Sequence, residues 1–245
     1  MKRLFISDLH LDESRPWVVN AFSTFLKTRA RQARELYILG DLFEAWIGDD
    51  DDGELATRVR TELRDLAEAG VELYLMQGNR DFLLGSRFAR ETCCRMLADP
   101  SVIEVGGKPC VLSHGDALCT RDSEYMQLRE VLRSRAWQDE ILERSLDERR
   151  TLAREVREES RRAGANKADN IMDVTAEAVC QLMQEHRANL MIHGHTHRPA
   201  VHEFDLSGEP ASRIVLGDWF HYAWVLELEG RQRALRRIPI PDRPS

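Results

Sequence analysis

The feature that most constrains this chain is a rhythm of short, mainly apolar runs at residues 4–7, 36–39 and 73–76, each followed by polar residues and glycines. Four-residue runs are too short for core helices and fit buried strands. Between them, residues 17–34 and 54–69 repeat apolar side chains at helical spacing, and Gly70 closes the second segment as a helix C-cap. A β-α-β-α-β opening argues for a sheet covered by helices. Further along, 102–105 and 110–113 form a hairpin about Gly106-Gly107, residues 174–186 a helix and 190–192 a strand. Residues 201–205, 213–216 and 223–229 add strands, with turns at Ser207-Gly208 and Gly230. The expected fold is an α/β sandwich of mixed sheets, with the proline-bearing tail after Pro239 frayed.

Residues 123–168 break the rhythm: they are helical in pattern, heavily charged and without a strand. This divides the chain into a core, 1–122 with 169–245, and an inserted helical lid, 123–168. The apolar residues there, among them Leu128, Val131, Leu132, Trp137, Ile141, Leu142, Leu146, Leu152 and Val156, exceed what one narrow stripe needs. A helical hairpin packed on itself and a lid with an apolar inner side both fit. The arginines from 129 to 162 pair with glutamates on the same helices in one reading, and face anionic lipid head groups in the other.

Polar residues able to hold metal follow five of the strands. Asp8 and His10 follow the first, Gly40-Asp41 the second and Gly78-Asn79 the third; His114-Gly115-Asp116 and Gly194-His195-Thr196-His197 follow 110–113 and 190–192. Ligands in α/β folds converge at the carboxyl ends of strands, where neighbouring loops open on one crevice. The set of two carboxylates, one amide and four imidazoles suits Mn, Fe, Co or Zn, and lacks the thiolates of a structural zinc site. Seven ligands are too many for one catalytic ion with open positions and suit two ions sharing a carboxylate.

Other features narrow the class. The net charge of −7 argues against nucleic acid as a partner. Cys93, Cys94, Cys110, Cys119 and Cys180 form no CxxC pair and are expected as free thiols in a reducing cytoplasm. The basic start is cut by Asp8 and does not read as a signal peptide, and no apolar stretch approaches the ~20 residues that cross a bilayer. Asp49-Asp50-Asp51-Asp52-Gly53 departs from a calcium loop at Glu54 and Arg60, and is expected as a solvated turn. Asp116 and Asp218 are expected beside the metal ligands rather than among them, His193 as a buried structural residue, and His202 and His221 as surface or core residues.

In order, Asp8-Leu9-His10, Gly40-Asp41, Gly78-Asn79, His114 and Gly194-His195-Thr196-His197 resemble the motifs of calcineurin-like metallophosphoesterases. The resemblance implies a β-sandwich flanked by helices, with Asp8, His10, Asp41 and His197 on one ion and Asp41, Asn79, His114 and His195 on the other. Many relatives carry a histidine after the GN pair. Here Arg80 stands there; it stays protonated and suits a bidentate phosphate clamp rather than a general acid. Longer runs, residues 40–50, 78–82, 171–174 and 192–199, with His114-Gly115-Asp116 and Asp122, are similar to the UDP-2,3-diacylglucosamine diphosphatase family of lipid A biosynthesis.

That similarity implies water attack at the α-phosphorus of UDP-2,3-diacylglucosamine, giving UMP and 2,3-diacylglucosamine 1-phosphate (lipid X), with two Mn²⁺ per chain. It also implies work at the cytoplasmic face of the inner membrane as a peripheral protein. Arg80, Asp41, Asn79 and His195 would be catalytic. Asn79, Arg80, Asp122, Ser160, Lys167 and His195 would contact substrate; one expected asparagine falls on Gly164, with Asn166 as a neighbouring replacement. Two alternatives stand beside it: another nucleotide or phosphodiester hydrolase of the superfamily, and a non-catalytic scaffold, which would be expected to have lost ligands that this chain retains.

Overall fold

The computed structural model describes residues 1–165, 171, 173–230 and 232–241, with side chains from 159 to 165 left aside. Two sheets stack face to face. The first holds β1 (Lys2–Ile6), β2 (Glu35–Leu39), β3 (Glu72–Met76), β4 (Cys94–Leu97), β10 (Tyr222–Glu229) and β11 (Gln232–Pro239), in the order β11-β10-β1-β2-β3-β4. The second runs β5-β6-β7-β9-β8, built from β5 (Ser101–Val105), β6 (Lys108–Ser113), β7 (Leu190–His193), β8 (Ala200–Leu206) and β9 (Glu209–Val215). β1 through β4 are parallel, as are β6, β7 and β9.

Why the strands read as continuous apolar runs is now clear: both faces of the first sheet are covered. Leu4, Ile6, Leu36 and Ile38 point to one side, where α1 (Pro16–Lys27), α2 (Glu54–Glu68) and α3 (Ser86–Thr92) pack with Phe22, Leu63 and Phe88. Phe5, Tyr37, Leu39 and Met76 point to the other and meet Cys110, Leu112, Ile192 and Ile214 of the second sheet. Phe5, Tyr37 and Tyr74 stack in a row across the first sheet at centroid spacings of 4.6 and 4.5 Å. The far face of the second sheet buries Val111, Met191 and Ala211 under Val179 and Met183 of α7 (Ala176–Glu185). The layers are therefore helices, sheet, sheet, helix.

Some boundaries differ from expectation. The first helix stops at Lys27 instead of continuing to residue 34; a single 3₁₀ turn, Ala30–Gln32, leads into β2. Near its end Thr24 and Thr28 turn their hydroxyls onto the carbonyls of Asn20 and Thr24 (2.9 and 2.6 Å), a contact that weakens helix continuation. α3, β4 and β11 were not expected.

The stretch after Asp122 is helical as expected: α4 (Ser123–Arg133), α5 (Arg135–Leu142) and α6 (Leu146–Ala165). Its arginines follow neither expected pattern alone. Arg135 pairs along α5 with Asp139, and Arg144, just past its end, pairs back with Glu140. Arg129, Arg133, Arg149, Arg150 and Arg157 instead reach core residues. The acidic run is where two of them dock, so it is not simply a solvated turn. Asp50 pairs with the buried Arg149, and Asp51 and Asp52 with Arg150. Asp49 accepts from the backbone N–H groups of Gly85 and Phe88 at 2.9 Å each and fastens α3.

Among the described residues no helix is long and apolar enough to cross a membrane. The five cysteines are unpaired.

Candidate metal centre and active site

The loops after β1, β2, β3, β6 and β7 converge at one end of the sandwich, and the expected ligands meet there. Potential ligand atoms of Asp8, His10 and His197 lie within 4.8 Å of one another, as do those of Asp8, Asp41 and His114. The Nε2 atoms of His10 and His197 face each other at 3.1 Å. Oδ1 of Asn79 sits between His114 Nε2 at 2.9 Å and His195 Nδ1 at 3.0 Å. Asp41 spans the cluster, with Oδ2 3.7 Å from His10 Nε2 and Oδ1 3.7 Å from His114 Nε2. All seven candidate ligands are thus gathered, and their lone pairs converge mainly on one another. Such a donor set fits divalent cations.

The backbone is forced to reach this arrangement. Asp8, His10, Asp41, His195 and His197 all have positive φ, from 49° to 69°, a region that non-glycine residues rarely adopt. Strain of order 1–3 kcal/mol per residue persists only where the surroundings over-determine it, and it clusters at functional sites. Gly78 is required beside it, because a Cβ there would collide with the side chain and backbone of Asp41.

Several residues that hold the ligands were not expected. Asp81, fully buried, accepts from the N–H groups of Gly78 and Leu42 at 2.7 Å each, and from Asp41 at 3.3 Å. It pins the loops after β2 and β3 together. Glu44 places a carboxylate oxygen 3.2 Å from His10 Nδ1, on the ring edge away from the cluster, and pairs with Arg15 and Arg157. Asp218, in contrast, stands where it was expected, beside a ligand, with a carboxylate oxygen 3.6 Å from His197 Nδ1. Carboxylates behind metal-binding imidazoles orient the ring and raise its basicity. Asp116 stays outside both ligand groups, as expected; it accepts from Tyr125 Oη at 2.6 Å and Arg129 Nε at 2.8 Å. Tyr125 in turn stacks over His195 at 6.1 Å. Nothing short-range in the sequence signals these contacts, since most partners lie on different elements.

His193 is fully buried, accepts from Arg213 Nη1 at 3.1 Å through Nε2, and donates from Nδ1 to the carbonyl of Gly194 at 2.9 Å, a structural role as expected. His202 and His221 are exposed. Asp122 caps α4, its Oδ1 accepting from the Tyr125 N–H at 3.1 Å. Arg80 is held by its backbone: its N–H donates to Asp41 Oδ1 at 2.8 Å and its carbonyl accepts from Trp46 at 3.2 Å. Asn166, Lys167 and the side chain of Ser160 lie outside the described residues; Gly164 is described in its backbone only.

Burial and charge set the protonation pattern. Burial drives His10 down to about 3, and burial with the neighbouring His114 takes His195 down to about 4. For His114, burial pulls downward but is outweighed by Asp41, Asp116 and Asp8, which carry it up to about 9. In Asp8 the cost of burial is overcome by His197 and the other imidazoles, which hold the carboxyl well below its usual range. His10 and His195 are thus neutral and ready to ligate near neutral pH, whereas His114 would give up a proton to bind a cation.

A calcineurin-like phosphoesterase family model matches residues 1–199. The chain belongs to this family. Within it, the chain is 49% identical over 243 residues to UDP-2,3-diacylglucosamine hydrolase of Marinobacter nauticus, covering 99% of this chain and all of that one. It is 50% identical over 241 residues to the protein of the same name from Pseudomonas aeruginosa, covering 98% and 100%. A structure described as a novel archaeal phosphodiesterase aligns over 98% of this phosphoesterase and 99% of its own length, at 14% identity and a TM-score of 0.50, a likeness of fold.

Proposed function

We propose that this phosphoesterase hydrolyses the pyrophosphate bond of UDP-2,3-diacylglucosamine by water attack at the α-phosphorus, yielding UMP and 2,3-diacylglucosamine 1-phosphate (lipid X) in lipid A biosynthesis. The observation that carries this reading is full-length similarity of about half the residues to relatives bearing that substrate's name, joined to seven candidate ligands gathered at one end of the sandwich.

Asp8, His10, Asp41 and His197 would hold one divalent cation, and Asp41, Asn79, His114 and His195 the other, with Mn²⁺ the expected metal. The opposed placement of the two Asp41 oxygens toward His10 and His114 supports a shared carboxylate. Bound cations of this kind acidify water and neutralise phosphoryl oxygens. The protein's own part is positioning. Glu44 and Asp218 place carboxylates behind the imidazoles of His10 and His197, and Asp81 fixes the loops. Arg80 clamps the diphosphate and stabilises developing charge, which suits a sugar phosphate leaving group that needs no proton. Asn79, Arg80, Asp122, Ser160, Lys167 and His195 are the proposed substrate contacts.

Residues 123–168 would act as a lid over the sugar and acyl chains. Its fastening supports this. Arg133 donates to the carbonyl of Gly78 at 3.0 Å beside the metal loops, while Arg149 and Arg150 hold the far end. Leu128, Val131, Leu142 and Val156 remain exposed on its helices, apolar surface suited to acyl chains or to a peripheral seat on the cytoplasmic face of the inner membrane.

The test is substrate comparison with the metal-loaded enzyme. Cleavage of UDP-2,3-diacylglucosamine should exceed that of UDP-glucose and simple dinucleotides by orders of magnitude. Equal rates would replace this reading with a general nucleotide hydrolase.

A further inference from the structure

The lid would serve the sugar side of such a substrate and Arg80 its diphosphate, which leaves the nucleoside. A cavity of about 260 Å³ lies on the outer face of the second sheet, lined by Asp173, Thr196, Arg198, Pro199, His202 and Arg213 among others. It shares a wall with the metal centre, because Thr196 stands between His195 and His197. We infer that this cavity receives the nucleoside half of a nucleoside diphosphate substrate, with Arg213 and Arg198 as specificity-determining residues; the inference rests on the function proposed above.

Three observations point to a ligand there. Arg213 is half-buried, yet among the described residues its guanidinium makes no ion pair, only the 3.1 Å contact with the His193 ring. Burying a cation is costly, and burial holds this guanidinium below its ordinary value, an effect the nearby Asp173 only partly offsets. Asp173, the carboxylate of the lining, is already paired with Arg198 at 2.8 Å. Thr196 Oγ1 is buried and has no hydrogen-bond partner among the described residues. The cavity thus offers unspent donors and a carboxylate acceptor on one wall. Carbonyl oxygens of a pyrimidine suit the first, and an imide N–H or a ribose diol suits the second.

Size decides which half of the substrate enters. The volume is just under the ~300 Å³ where ordinary ligand pockets begin. That leaves room for a nucleoside but not for a sugar bearing two long acyl chains, which must turn to the lid. The matched family segment ends at residue 199, so His202, Arg213, Ala200 and Val215 lie beyond it. A cavity built partly outside the shared catalytic segment is where discrimination between substrates can be added without touching the ligands.

The experiment is calorimetry on the full, Mn²⁺-loaded chain with UMP, inorganic phosphate and 2,3-diacylglucosamine 1-phosphate as separate probes. Arg213→Met should weaken UMP by about tenfold or more, the usual loss for a hydrogen bond to a charged group. It should leave inorganic phosphate and the acylated sugar phosphate within about twofold of wild type, and raise KM for the intact substrate. Unchanged UMP affinity would overturn the inference. So would equal loss of all three probes, which would mark Arg213 as a prop for the metal loop. If that variant fails to fold, Arg198→Ala, at a more exposed position, is held to the same outcomes. Failure of the wild type to cleave UDP-2,3-diacylglucosamine would instead defeat the functional reading beneath it.

Discussion

Replacing Asp81 with asparagine should unfasten the metal loops while changing almost no volume. The carboxylate is fully buried and takes short bonds from the Gly78 and Leu42 N–H groups, 2.7 Å each, and longer ones from Asp41 and Phe43 at 3.3 and 3.4 Å. Asparagine has a single accepting oxygen, so its NH₂ must face one of the two strong donors. The loss combines one charge-assisted bond, about 1.5–3 kcal/mol, with a stranded buried donor, about 1–3 kcal/mol. These overlap, so about 2–4 kcal/mol is expected in total. For a chain of this length 1 kcal/mol moves Tm by roughly 2–4 °C, so Asp81→Asn should melt roughly 4–16 °C lower. Scanning calorimetry at fixed, saturating Mn²⁺ reads the shift, and metal content after gel filtration should fall in parallel. A Tm within about 1 °C of wild type with metal retained would refute the pinning role.

Three other outcomes follow from the same geometry. Asp41→Ala should nearly abolish turnover and reduce metal content, because both proposed ions lose a ligand; near-normal activity would rule out the shared carboxylate. Arg80→Ala should lower kcat by roughly 10²–10³, the usual cost of removing one donor to developing charge, with metal content kept by elemental analysis. Metal affinity should rise with pH: His114, at about 9, is protonated at pH 7 in the metal-free chain and must lose that proton to bind a cation. Calorimetry in buffers of different ionisation enthalpy should therefore show proton release at pH 7 that fades above pH 9, and no release would contradict the protonation pattern.

What could be read from the chain alone follows from physical cause. The central strands were legible because burial on both faces makes them continuous apolar runs, as in Leu36–Tyr37–Ile38–Leu39. β11 was not, because it is an edge strand whose Arg233, Arg236 and Arg237 hide the alternation. β4 is likewise an edge strand, and α3 spans only seven residues, too few for a periodic signal. The candidate ligands were legible as a group because each follows a strand end, and the fold brings them together. Their supports were hidden for the opposite reason: Glu44 meets Arg157, and Asp50 meets Arg149, across about a hundred residues of chain. Such pairings exist only once the fold has formed, and they are also what turned the acidic run from a solvated loop into a docking point.

The proposed chemistry comes down to which phosphorus the water attacks. Turnover of UDP-2,3-diacylglucosamine by the Mn²⁺-loaded enzyme in ¹⁸O-water, followed by phosphorus NMR, decides it. One labelled oxygen in UMP, and none in the 2,3-diacylglucosamine 1-phosphate, is the predicted result. Label in the sugar phosphate, or no cleavage by a fully metallated enzyme, would contradict it.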